Sequence, residues 1–173
     1  TLAFLADDYG AIRWLRGGQT LVIPAEGSGL ILIPRSASDG VAWIESTLPA
    51  ESQVYSALGP DGAPAFWVYR VNQERNLTPS QPLSANLAAR VLGFDVAGAT
   101  ESGQDLALTA WWEVLNRPIL GDYGPVARLV DPWGFVWGEA HPFHYPAEQW
   151  TAGERVLDRL TISTHAGAPP GDY

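Results

Sequence analysis

His141 and His144 lie three residues apart inside the stretch VDPWGFVWGEAHPFHYPAEQW, residues 130–150. On a helix that spacing would bring two imidazoles to one side, where they could ligate a metal. Pro142 and Pro146 argue against a helix, and the H-E-x-x-H order of zinc peptidases is missing. The chain also has no cysteine. No metal site is therefore expected, and the histidines are read as hydrogen-bonding groups in a Pro-rich loop. Glu113, Asp131, Glu139, Glu148 and Asp158 could supply the carboxylate pair of a glycoside hydrolase, which needs two acids about 5 to 10 Å apart across the sugar. Sequence does not set that distance, and Asp131 already has a turn to make. Serine chemistry has less support, because there is no G-x-S-x-G elbow and all three histidines fall in the last third. RGGQT and EGSGL lack the lysine and spacing of a phosphate loop, so no cofactor is expected.

The aromatic residues suggest a different use. Trp111, Trp133, Trp137, Phe143, Tyr145 and Trp150 could form a flat platform for the apolar face of a sugar, with polar groups beside it. Equally, they could seal the edges of a β-domain or contact the first part of the chain, since large aromatics are mostly buried. Exposed aromatics could also dock on a membrane-embedded partner or at the bilayer interface, although the net charge of −9 argues against direct attraction to anionic lipid heads and leaves docking to protein open. The candidate ligand residues are Trp111, Trp133, His141, His144 and Tyr145.

The elements that would position these residues are mostly strands. From residue 80 onward AARVLGFDVAG, DLALTAWWEVL, GPVARLVD, GFVWGEA and RVLDRLTIST recur between turns, as expected of an antiparallel β-sandwich of jelly-roll type. In DLALTAWWEV the alternation puts Leu106, Leu108, Ala110, Trp112 and Val114 on one face and Asp105, Thr109, Trp111 and Glu113 on the other. Trp112 is thus expected in the core and Trp111 outside. Asp131-Pro132-Trp133-Gly134 fits a type I turn, with Asp accepting backbone bonds, Pro fixing φ and Gly closing the fourth position. Residues 126–138 are then a hairpin with Trp133 at its tip.

Residues 1–79 read as a small α/β portion. Leu2, Leu5, Tyr9, Ile12 and Leu15 have near-helical spacing. TLVIP and LILIP are short strands, and AFWVYRV is a third. SASDGVAWIESTL predicts a short helix capped by Ser36 or Ser38, with Val41, Ile44 and Leu48 on one side. NQERNLTPSQPLS, residues 72–84, is aperiodic and reads as a linker, and its Asn76-Leu77-Thr78 sequon carries no weight.

Bulk properties narrow the partners. A net charge of −9, with ten scattered basic side chains, leaves no basic stripe for phosphates, so nucleic acid is excluded as a partner. No apolar run approaches the roughly 20 residues of a membrane-spanning helix. The missing initiator methionine suggests a piece of a longer protein.

RVLGFDVAG, GQDLALTAWWEVLNRP, YGPVARLVDPWGFVWGEAHPF and WTAGERVLDRLTISTHAGAPPGDY, within residues 87–173, together resemble the C-terminal extracytoplasmic β-domain of certain bacterial membrane proteins. These are integral-membrane glycosyltransferases of the dolichyl-phosphate-mannose protein mannosyltransferase-like type. AIRWLRGGQTLVIPAEGSGLILIP, residues 11–34, is similar to the α/β region that precedes that domain. The resemblance implies a parent that uses a polyprenyl-phosphate sugar donor and acidic residues in loops beside its transmembrane helices. No position of this chain matches those catalytic residues. It also implies a further strand after PPG-x-aromatic, beyond Tyr173. The chain is therefore expected to be a non-catalytic accessory domain on the extracytoplasmic face of the cell membrane. Its expected partners are a glycan and the transmembrane portion of its parent. The alternatives are a free-standing secreted sugar-binding or hydrolytic sandwich, and a structural spacer or docking domain.

Overall fold

A computed structural model describes residues 12, 13, 15, 18–72, 81–86, 88–97, 101–116, 125–141 and 144–169. The chain is mainly β, with antiparallel sheets and, among the described residues, one short α-helix in its N-terminal portion. The strands are β1 (Thr20–Ile23), β2 (Ser28–Pro34), β3 (Gln53–Leu58), β4 (Pro64–Asn72), β5 (Gln81–Asn86), β6 (Ala89–Ala97), β7 (Asp105–Val114), β8 (Ala127–Val130), β9 (Val136–Ala140) and β10 (Arg155–Ser163). The helix, α1, is Val41–Thr47.

A five-stranded sheet in the order β1-β10-β7-β6-β5 forms the central layer. Side chains alternate across it, so paired residues Leu157 and Trp111 share one face, and Val156 and Trp112 the other. The first face is covered by the second sheet, β2-β4-β3, and by α1. Leu21, Ile23, Trp111 and Leu157 pack there against Ile33, Ile44, Leu48, Tyr69 and Val71. On the opposite face Trp112, Val114 and Val156 pack against Tyr145, Ala147 and Trp150. Each such aliphatic side chain, fully buried, contributes roughly 1.5–3 kcal/mol relative to exposure.

The β8–β9 hairpin lies on this second face as well. A Cβ placed at Gly138 would stand 2.7 Å from the Ile162 side chain and 2.9 Å from the Ser163 carbonyl oxygen, so β9 approaches β10 closely only because position 138 has no side chain. The His165 amide donates to the Trp137 carbonyl at 2.8 Å and holds the same edge.

Several local expectations change on folding. The helix of SASDGVAWIESTL exists, but a 3-10 stretch over Arg35–Gly40 precedes it, and Gly40 holds the cap position with no side-chain bond. Neither Ser36 nor Ser38 caps it. Ile44 and Leu48 are buried as the spacing predicts. Of the segment read as a linker, Asn72 ends β4 and Gln81–Asn86 forms β5, paired with β6. The rest of it, with the sequon, lies outside the described residues. So does most of the helix expected over residues 2–15, where Ile12, Arg13 and Leu15 have no regular secondary structure. The proposed boundary near residue 80 does not mark a break in pairing. β1, from the first portion, is bonded to β10 along Thr20–Ile23, and the first core joins both portions.

Candidate functional site

The hairpin that carries Trp133 is built on Asp131. The Gly134 amide donates to the Asp131 carbonyl at 3.0 Å, which closes the turn, and the Asp131 amide donates to the Phe135 carbonyl at 3.1 Å. Gly134 has φ 88°, the left-handed conformation that a side chain resists, so the loop is a type I turn completed by a glycine bulge. Asp131 Oδ1 accepts from the amides of Trp133 (3.0 Å) and Phe135 (2.9 Å), and Oδ2 accepts from the Trp137 indole at 3.0 Å. These donors, the Trp137 indole foremost, hold the Asp131 carboxyl below the usual carboxylate range.

With its backbone fixed in this way, the tip presents aromatic surface. Trp133 is 86% exposed and Phe135 is exposed beside it. Phe135 and Trp137 are in ring contact, with centroids 4.5 Å apart and planes tilted by 54°. Because Gly138 faces β10, the alternation turns Trp137 and Glu139 away from the central sheet. Glu139 is directly opposite Arg128 and pairs with it and with His141. These two partners, Arg128 first, keep the Glu139 carboxyl below its ordinary range. The outer surface of the hairpin thus runs from aromatic rings to a row of donors and acceptors. Residues two apart along a strand are separated by roughly 7 Å, about the width of one pyranose ring.

The other candidates lie elsewhere, and the outward placement of Trp111 is corrected. Trp111 does not face outward: it is 8% exposed, because α1 and the β2-β4-β3 sheet cover the face that alternation alone leaves open. Its indole donates to Asp95 at 3.1 Å. Trp112 is buried as expected. His144 and Tyr145 are also buried, in the stretch 144–150 that packs onto the central sheet. The Tyr145 hydroxyl is 2.7 Å from Glu154 Oε2 and 2.8 Å from the Gln149 carbonyl. Burial pushes its phenol well above the ordinary value, and Glu154 adds to the shift. His144 Nδ1 stands 3.6 Å from Asp158 Oδ1. Only Trp133 and His141 of the five are at the surface, and Phe143 lies outside the described residues.

Asp158, a candidate hydrolytic acid from the sequence, instead forms the polar centre of the molecule. Asp158 on β10 is 1% exposed. It accepts the Thr20 hydroxyl on Oδ1 and the Trp112 indole, at 2.8 Å, on Oδ2. An aspartate at a core-parity position among Val156, Leu160 and Ile162 was the available signal.

The carboxylates considered for hydrolysis have other roles, with the exception of Glu148, which is exposed. Glu113 pairs with Arg90, Asp131 makes the turn, Glu139 holds Arg128 and His141, and Asp158 is sealed in the core. Among the described residues no group of three or more His, Cys, Asp or Glu could hold a metal, and no helix is long and apolar enough to cross a membrane. No known family, curated protein or solved structure matches the chain.

Proposed function

We propose that this chain is a non-catalytic accessory domain on the extracytoplasmic face of a membrane glycosyltransferase, and that it recognises carbohydrate with the outer surface of the β8–β9 hairpin. The glycosyltransferase parent rests on the sequence resemblance alone. The carbohydrate reading rests on one observation: the Asp131 turn holds an almost fully exposed Trp133 at the tip of the hairpin whose outer face carries the Phe135–Trp137 pair and, two residues on from Trp137, the Arg128–Glu139–His141 row. Aromatic faces take up the apolar C–H face of a sugar, and the ionic row hydrogen-bonds its hydroxyls. Exposed aromatic surface of this kind on one hairpin is the sort of apolar patch that marks a binding site. The engagement of Glu113, Asp131, Glu139 and Asp158 in pairing, turn or core supports a binding role over hydrolysis.

Isothermal titration against a panel of oligosaccharides tests the binding role. Trp133→Ala is expected to weaken binding by about tenfold or more, the scale of losing one stacked ring, while leaving the fold unchanged. Equal binding by the wild type and Trp133→Ala would remove the hairpin as the site. Turnover of aryl glycosides that disappears in Glu139→Gln would replace binding with hydrolysis. For the location, an antibody against the domain is expected to detect its parent in the membrane fraction, accessible to protease from outside. A soluble parent would refute the membrane assignment.

A further inference from the structure

The β2-β4-β3 sheet buries one face against the central sheet and leaves the other uncovered. On that outer face register brings together Leu30 and Leu32 of β2, Phe66 and Val68 of β4, and Tyr55 and Leu58 of β3. Leu30 is 66% exposed, Leu32 51%, Tyr55 58% and Leu58 69%. Three strands about 4.8 Å apart, at about 3.3 Å per residue, give this surface roughly 300 Å², the size at which an apolar patch is commonly functional. The chain has 19 acidic residues, yet among the described residues of β2, β3 and β4 Arg70, opposite Leu30, is the only charged side chain on the face, and the exposed Arg35–Asp61 pair borders it at the end of β2 and the β3–β4 turn. Arg70 forms no ion pair among the described residues.

The geometry points to a lipid bilayer surface as the partner of this face. Three features select a membrane over a second copy of the chain. Leucine and phenylalanine suit the acyl boundary, and a tyrosine at the margin suits the headgroup level. An arginine on a flexible stem can bury its methylenes and keep its guanidinium among lipid phosphates. Two copies packed face to face would instead bury two unpaired arginines with no carboxylate on either surface, a costly arrangement. A carboxylate-free face on a chain of charge −9 also removes local repulsion from phosphate headgroups. The β8–β9 hairpin lies on the opposite side of the central sheet, so a domain resting on lipid through β2, β3 and β4 keeps the hairpin on its far side. This inference does not depend on sugar binding.

Co-sedimentation of the purified chain with large unilamellar vesicles tests it, using phosphatidylcholine alone and phosphatidylcholine with phosphatidylglycerol. The wild type is expected to pellet with both. The double variant Leu30→Ser/Leu32→Ser, which leaves the buried face intact, should lower the partition coefficient at least about tenfold. Arg70→Gln should weaken binding about fivefold on the anionic vesicles and less on the neutral ones. Near-UV circular dichroism confirms that each variant is folded. Folded wild type that stays in the supernatant with both vesicle types overturns the inference. A wild-type dimer in sedimentation velocity that becomes monomeric in the double variant would assign the face to a second copy instead.

Discussion

Replacing Asp158 with alanine removes the acceptor of two buried donors, the Thr20 hydroxyl from β1 and the Trp112 indole from β7. Each hydrogen bond to a charged acceptor contributes about 1.5–3 kcal/mol, and a buried donor left unpaired costs about 1–3 kcal/mol. Relief of the buried charge offsets part of this, so the net loss is expected at about 3–5 kcal/mol. For a domain of this size that lowers Tm by roughly 6–20 °C. Asp158→Asn has the same shape, keeps an oxygen for the indole and offers its NH2 to the Thr20 hydroxyl, which can turn to accept. It is expected to cost only about 1–2 kcal/mol. Urea unfolding followed by tryptophan fluorescence measures both variants. The reasoning fails if alanine costs less than about 1 kcal/mol, or if asparagine is as damaging as alanine.

Three further outcomes follow from the same geometry. Asp131→Ala removes the acceptor for two amides and one indole, so hydrogen exchange over 131–137 should accelerate and sugar binding should fall, while global stability changes little. The Asp131 carboxyl is depressed in the folded chain, so its contribution to the hairpin is present above about pH 4, the ordinary range, and is lost as pH falls further through the folded value. Gly138→Val should separate β9 from β10, with protection lost along the hairpin and the indole environment of Trp137 altered; an unperturbed hairpin would contradict the close approach at this position. Burial, reinforced by Glu45, raises the Tyr69 phenol to about 12, so its contribution is intact below about pH 10 and is lost as pH climbs toward 12. The stability difference between the wild type and Tyr69→Phe, read from urea unfolding, is therefore expected to shrink between about pH 10 and 12; a difference that stays constant over that range would contradict the raised phenol.

The strands between residues 89 and 163 were legible as β-branched and aromatic runs bounded by turn residues, and the turn at Asp131 because its residue types fix its geometry. β3 was hidden: QVYSAL has a register shift at Val54 and mostly exposed side chains, so no periodicity marks it. β5 was hidden by Pro82 in a polar run, which an edge strand tolerates and a central one does not. Trp111 was misplaced for a different reason. Alternation gives the face of a residue but not what covers that face. Covering the Trp111 side depends on Thr20 pairing with Asp158, 138 residues away, which carries β2, α1 and β4 over it. The burial of His144 and Tyr145 is hidden in the same way, because only the folded chain brings residues 144–150 onto the central sheet.

The most direct measurement of the central claim is a heteronuclear NMR titration of the tryptophan indole N–H signals with the oligosaccharides of the binding panel. Shifts are expected at Trp133 and Trp137 and none at the buried Trp112 and Trp150. Unchanged Trp133 and Trp137 signals with a glycan that binds the chain, or shifts centred on another tryptophan, would contradict it.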